Sequence, residues 1–287
     1  MLRITFLGTC GGGVPSVTRG MPSIAVKYER QLMLWDCGEG TQRQLMKYKV
    51  GYGSVNAIFV THPHLDHYLG MYGLLETLKL SSPSPKPVKL FLPGNISTRD
   101  FSFVTSSKIR KGKLYSGKGF VISAFPVKHC QSSYGLIFQE DEKIKFNEKK
   151  AHSLGLKGKL FTEIQKKGFV KTEKGKIKLD DVTWIKPGRK IVYSGDTMSD
   201  EGLIEYAKGA DLLIHEGTFD ESMKEEAAEK KHSTVVDAAT IARKAKVKRL
   251  IITHISSRYS DQDLLLKQAK KIFSNTEIAK DGLVINL

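Results

Sequence analysis

The chain has 287 residues, with 46 Lys or Arg against 30 Asp or Glu and a formal net charge of +16. That length allows one large core, or one core with an appendage. Three cysteines without CxxC spacing, Cys10, Cys37 and Cys130, argue against a disulfide framework and for a reducing cytoplasm. No apolar run approaches a membrane span, and Met1-Leu2-Arg3-Ile4 leads straight into a strand without a signal peptide.

Along the chain, Arg3 to Leu7, Ser23 to Lys27 and Leu32 to Trp35 read as strands, and Thr41 to Tyr48 as a helix. Ala57 to Val60 is the next strand. It runs into Thr61-His62-Pro63-His64-Leu65-Asp66-His67, and a helix is expected over Met71 to Leu80. Three imidazoles and a carboxylate so close together repel, compete for protons and bury badly without a cation. Their donor atoms suit zinc and related divalent ions. In an extended loop His62 and His64 point the same way and can share one ion, while Asp66 and His67 turn toward a second.

The apolar run Phe120 to Val127 precedes His129. Cys130 beside it reads as packing, since neighbours on a strand face opposite ways. From Lys143 to Lys190 the alternation breaks: fifteen Lys or Arg stand against five Asp or Glu, a net of +10. With sparse apolar positions and frequent glycines, this stretch is expected to bury little surface by itself. It reads either as a solvated loop or hairpin, or as an electrostatic arm for nucleic acid.

Regular alternation then resumes. Lys190 to Ser194, Asp211 to His215 and Arg249 to Thr253 read as strands; Gly202 to Lys208, Thr234 to Lys246 and Leu264 to Phe273 read as helices. Asp196 and His254 follow two of these strands. Each of His129, Asp196 and His254 alone could be an ordinary strand-end polar residue. Together with the first cluster they make seven candidate ligands: His62, His64, Asp66, His67, His129, Asp196 and His254. That is too many for one tetrahedral ion and suits two, with Asp196 bridging, which points to hydrolysis of a phosphate ester.

His-x-His-x-Asp-His after a strand, followed by further His, Asp and His, resembles the metallo-β-lactamase superfamily. Within it the chain resembles the ribonuclease Z family, from Phe6-Leu7-Gly8-Thr9 to Thr253-His254-Ile255-Ser256-Ser257-Arg258-Tyr259. Asp36-Cys37-Gly38-Glu39-Gly40, Ser194-Gly195-Asp196-Thr197, His215-Glu216-Gly217-Thr218 and His232-Ser233-Thr234 carry the resemblance between those ends.

The resemblance implies an α/β fold, an αββα sandwich with an inserted basic arm over residues 143–190 of a single 1–287 domain. It implies two zinc ions per subunit, with manganese or iron as substitutes. His62, His64, His129 and Asp196 would hold one, and Asp66, His67, Asp196 and His254 the other. Asp66 would orient or deprotonate the water, and His232, supported by Glu216, would protonate the leaving 3′ oxygen. A carboxylate beside an imidazole raises its pKa and fixes its tautomer, so that pairing also makes chemical sense unaided. Asp36 reads as a support for the metal loop rather than a ligand.

The implied activity is endonucleolytic cleavage of tRNA precursors after the discriminator nucleotide, leaving a tRNA 3′-hydroxyl and a trailer 5′-phosphate. The implied partners are precursor tRNA and a second subunit in a cytoplasmic homodimer. Arg258, Tyr259, Arg19, Lys157 and Lys159 are the candidate RNA contacts. The sequence departs from the family in three places. The Pro15-to-Gly20 loop lacks the usual Lys and Asn around Arg19, Leu154-to-Leu160 lacks the prolines of the arm turn, and Tyr134 precedes Gly135 rather than following it. A small-molecule phosphodiesterase or another hydrolase of the fold would share the metals but has no need of the arm.

Overall fold

The computed structural model describes residues 1–94, 96–98 and 101–287, which divide into two compact units, Met1–Phe138 with Lys190–Leu287, and Gln139–Arg189. The larger unit contains two seven-stranded sheets. In the first, Val284–Asn286, Leu2–Gly8, Ser23–Tyr28 and Gln31–Trp35 lie in that order and pair antiparallel. Val55–Phe59, Val88–Leu92 and Val104–Lys108 extend it with parallel pairings. The second sheet runs Thr276–Ile278, Leu250–Thr253, Leu212–Glu216, Lys190–Tyr193, Tyr134–Glu140, Phe120–Pro126 and Gly112–Gly117; its first three pairings are parallel.

Period-two alternation decides which face each residue serves. Leu2, Ile4, Phe6, Met33, Trp35, Ala57 and Phe59 from the first sheet share one buried cluster with Ile191, Tyr193, Leu212, Ile214 and Ile251 from the second. Leu32, Leu34 and Ile58 face the other way, as does Val55 beyond a register shift in the strand pairing, onto Leu45 of the helix Thr41–Lys47 and Met71, Leu74, Leu75 and Leu78 of the helix Leu65–Ser81. Val192, Leu213, Leu250 and Ile252 likewise meet Ala238, Ala239 and Ala242 of Val235–Lys244 and Leu265 and Ala269 of Asp263–Ile272. The result is the four-layer αββα sandwich. Trp35 stacks on Tyr193 between the sheets, centroids 5.9 Å apart.

Three sequence expectations shift. The helix expected from Met71 starts at Leu65, so it includes Asp66 and His67. The strand expected to stop at His215 continues through Glu216. The strand before His129 ends at Pro126, so Cys130 lies half-buried in a turn, its Sγ 3.2 Å from Ser133 Oγ, and the opposite-face argument does not apply to it.

The smaller unit buries more than its composition suggests. Lys143–Phe146 pairs antiparallel with Thr183–Lys186, and Phe169–Thr172 with Gly175–Lys178. Ala151, Leu156, Ile164, Val170, Ile177 and Val182 form an apolar cluster, with Phe146, Leu154, Leu160, Phe161 and Leu179 packed against it. Period-two and helical spacing put these few apolar residues on inner faces while the lysines stay outside. Among the described residues no helix is long and apolar enough to cross a membrane.

Candidate metal centre

Gln31–Trp35 and Val55–Phe59 run parallel with Trp35 opposite Phe59, so Asp36 and Thr61 leave the sheet near one another. Asp36 is fully buried. Its carboxylate accepts from the Thr61 amide (2.7 Å), the Thr61 hydroxyl (2.9 Å), His67 Nδ1 (2.9 Å) and the Tyr193 hydroxyl (2.9 Å). Having donated to Asp36, the Thr61 hydroxyl accepts from His62 Nδ1 at 3.1 Å. Both His62 and His67 therefore carry their proton on Nδ1 and offer the Nε2 lone pair. Pro63 disfavours helical backbone at His62, and the extended His64 serves as the N-cap residue, so the helix begins at Leu65. Asp66 then sits in the first helical turn, where the helix dipole favours an anion.

The second sheet supplies Asp196, Glu216 and His254 at the carboxyl ends of parallel strands, the edge where such sheets gather their sites. It supplies His129 beyond Phe120–Pro126, which pairs antiparallel with Gly112–Gly117. Glu216, at the end of Leu212–Glu216, is fully buried. Its Oε1 accepts from the Thr197 amide and His232 Nδ1, both at 2.8 Å. Its Oε2 accepts from the Thr218 hydroxyl (2.6 Å) and the amides of Thr218 and Ser233 (3.2 Å each). The Thr218 hydroxyl in turn accepts from His254 Nδ1 at 2.9 Å, which again leaves Nε2 as the free lone pair. His129 Nδ1 donates to the Lys231 carbonyl at 2.9 Å with the same consequence. His232 and Ser233 come just before Thr234, whose capping box with Asp237 starts the helix Val235–Lys244 and contributes about 1 kcal/mol.

The free nitrogens converge. His64 Nδ1 lies 3.0 Å from His62 Nε2 and 3.1 Å from His129 Nε2. Asp196 Oδ2 lies 3.2 Å from both His67 Nε2 and His254 Nε2, 3.6 Å from His62 Nε2 and 4.0 Å from His129 Nε2. Asp66 Oδ2 is 3.8 Å from His67 Nε2 and 3.9 Å from His254 Nε2. The ligating atoms fall into compact sets: His62 with His64 and His129, His62 with His67 and Asp196, Asp66 with His67 and His254, His129 with Asp196 and His232, and Glu216 with His232 and His254. His64, Asp66, His129, Asp196, His232 and His254 line one open cavity of about 330 Å³, with Phe219, Lys230 and Arg258 in its wall.

Electrostatics agree with a cation at this point. Burial, then His67, pushes His62 well below the usual imidazole range, and burial with His129 lowers His64. Burial works against a proton on His67, yet Asp196 and Asp36 draw it well above the usual range; a buried carboxylate group demands positive charge there. Burial would raise the Asp66 carboxyl, but His254 and His67 bring it down to about 2. Asp196 Oδ1 is buried without a hydrogen-bond partner among the described residues. Lone pairs turned inward, an orphaned carboxylate oxygen and an imidazole–carboxylate donor set fit divalent metal ions.

The sequence candidates for RNA contact are placed differently. Arg258 donates to both carboxylate oxygens of Glu226, at 3.1 and 2.7 Å, and lies over the Phe219 ring. The Tyr259 hydroxyl accepts from the Asp220 amide at 3.1 Å. Arg19 is turned inward onto the carbonyls of Ile255 and Ser256. Lys157 and Lys159 are exposed in the smaller unit. Sequence reasoning gave no role to Thr61, Thr218 or Tyr193, whose hydroxyls fix the supporting carboxylates. The two threonines stand inside motifs, whereas the Lys231 carbonyl that orients His129 has no sequence signature.

A family model described as a beta-lactamase superfamily domain matches residues 32–255. The chain is 39% identical over 304 residues to a ribonuclease Z of Methanosarcina acetivorans, covering 100% of this chain and 98% of that one. It is 40% identical over 302 residues to a ribonuclease Z of Archaeoglobus fulgidus, again covering 100% and 98%. Among solved structures, human tRNase Z, short form, superposes with a TM-score of 0.70 at 28% identity, covering 99% of this chain and 98% of that one. The metallo-beta-lactamase fold protein YhfI from Bacillus subtilis superposes at 0.73 with 19% identity and full coverage of both chains, a likeness of fold alone. With these full-length relatives and this sandwich, the chain belongs to the ribonuclease Z family of the metallo-β-lactamase superfamily.

Proposed function

We propose that this chain is a metal-dependent endoribonuclease that cuts tRNA precursors just after the discriminator nucleotide, leaving a tRNA 3′-hydroxyl and a trailer 5′-phosphate. The relatives named ribonuclease Z and tRNase Z support phosphodiester hydrolysis in tRNA processing. The observation that carries the reading is the joint arrangement of inward lone pairs with the His232–Glu216 pair on one cavity.

His62, His64, His129 and Asp196 would hold one ion, and Asp66, His67, Asp196 and His254 a second, zinc by donor type with manganese or iron as substitutes. Two divalent ions held there would lower the pKa of a water and neutralise charge on the phosphate. Asp66, kept ionised, is suited to orient the attacking water or accept its proton. His232 gives its Nδ1 proton to the hydrogen bond with Glu216, so its Nε2–H is left for the departing 3′ oxygen. Burial disfavours the imidazolium, but the Glu216 carboxylate beside it raises His232 to about 9, which favours a proton on the donor. Lys157 and Lys159, with the other lysines of the Gln139–Arg189 unit, would grip the folded part of the tRNA by phosphate contact, in a cytoplasmic homodimer.

The test is cleavage of an end-labelled, CCA-less tRNA precursor, with and without a chelator, mapped at nucleotide resolution. A single chelator-sensitive cut after the discriminator base is expected. No RNA cut, with turnover of a small phosphodiester retained, would move the chain to a small-substrate hydrolase.

A further inference from the structure

The backbone at His254 has φ of +58°, a left-handed conformation that a residue other than glycine keeps only when its surroundings hold it there. Several contacts meet on the two peptides that follow. The Ile255 amide donates to the Thr9 carbonyl (3.2 Å) and the Ser256 amide to the Thr218 carbonyl (3.1 Å). Ile255–Ser256 pairs in parallel with Cys10–Gly11. A side chain at Gly11 would collide with the His254 imidazole and carbonyl, so the ring lies directly on that backbone.

The carbonyls of the same two residues, Ile255 and Ser256, are taken by one side chain. Arg19 Nη1 donates to Ile255 O at 2.9 Å and Nη2 to Ser256 O at 2.8 Å. The base of Arg19 is itself anchored. Its amide donates to Ser16 Oγ at 3.3 Å, and the next amide, Gly20, donates to Asp281 at 2.6 Å. The Cys10 amide donates to the Gly20 carbonyl at 3.0 Å. A guanidinium turned onto two successive carbonyls has two of its donors committed inward, which is poor use of a phosphate contact and good use of a planar fork.

We propose that Arg19 is a positioning residue for His254. It holds the left-handed turn so that His254 Nε2 stays 3.2 Å from Asp196 Oδ2 and 3.4 Å from His67 Nε2. The Pro15-to-Gly20 loop is thereby tied to the metal centre through one side chain. This rests on the reading of the cluster as a metal site.

Arg19→Lys and Arg19→Gln decide between the clamp and an RNA charge contact. Lysine keeps the charge but cannot fork onto both carbonyls. The clamp predicts that both variants lose affinity for cobalt(II) or zinc by about 10–100-fold in chelator competition, the usual cost of an outer partner. Both should speed amide exchange at Ile255 and Ser256, and tRNA affinity of the chelator-stripped protein should stay within about two-fold, with an unchanged salt slope. Wild-type metal affinity in Arg19→Lys, with weaker tRNA binding and a shallower salt slope in Arg19→Gln, would overturn the clamp. If the wild-type chain takes up no divalent ion, the nuclease reading fails instead. Amide exchange then judges the clamp by itself, and unchanged rates in both variants reject it. Should Arg19→Gln not fold, Arg19→Lys carries the same comparison.

Discussion

Asp36 at the end of the first sheet and Glu216 at the end of the second are both fully buried carboxylates crowded by donors. Asp36 spends its contacts on the two histidines of the first motif, directly on His67 and through Thr61 on His62. Glu216 reaches His254 through Thr218 and bonds directly to His232, whose ring also falls in compact sets with His129 and Asp196 and with His254. One carboxylate orients two imidazoles of the cluster. The other orients His254 through Thr218 and also raises the pKa of His232 at the cavity. A buried carboxylate is thus specialised by which donor it faces, since each donor takes a different lone pair.

The most severe change removes His64, a candidate ligand that neither carboxylate contacts. His64→Ala should abolish turnover of precursor tRNA while leaving tRNA binding in a gel-shift assay largely intact. Equal loss of both would end the separation of chemistry from RNA grip. Next, His232→Ala should lower kcat by about 10²–10⁴-fold, the range for a positioned acid, with bound metal unchanged by elemental analysis. Loss of metal in that variant would place His232 among the ligands.

Asp36→Asn should weaken metal binding by about 10–100-fold in chelator competition. Full metal affinity with a slow chemical step would reverse the roles assigned to the two carboxylates. Replacing Lys157 and Lys159 together by Ala should weaken tRNA binding uniformly across RNA sequences. It should also flatten the log–log salt slope by about 0.7–0.9 for each phosphate that is no longer neutralised. An unchanged slope would remove these two lysines from the RNA surface.

The mildest change concerns pH. Despite burial, Glu216 raises His232 from 6.5 to about 9 in the folded chain. A folded pKa above the unfolded one means that the pair's stabilisation is complete below pH 6.5 and is lost as pH rises through about 9. Thermal melts of the chelator-stripped protein should therefore drop by roughly a few degrees across that window. Glu216→Gln should flatten the drop, and an identical pH profile in both proteins would contradict the coupling.

The strand–helix alternation and the seven candidate ligands were legible in the order of amino acids alone, whereas the sandwich came from the family resemblance. Apolar period-two runs can fold only with one face buried, and His-x-His-x-Asp-His offers too many lone pairs to bury without a cation. Glu216 and His232 were legible too, because their motifs resemble a family in which they act together. The start of the helix at Leu65 was not, since His64 serves as the N-cap residue without a side-chain capping hydrogen bond and leaves none of the usual capping signals. Nor was the small core of Gln139–Arg189, where six buried apolar residues are hidden among lysines in the composition.

Which nitrogen each histidine presents was settled in the folded chain. Thr61 sets His62 from the adjacent position, but Asp36, the Lys231 carbonyl and Thr218 set His67, His129 and His254 across gaps in sequence that no local pattern spans. Folding also turned the Arg19 guanidinium inward onto the Ile255 and Ser256 carbonyls, a placement its loop does not signal, because a fork of donors suits two carbonyls left to satisfy.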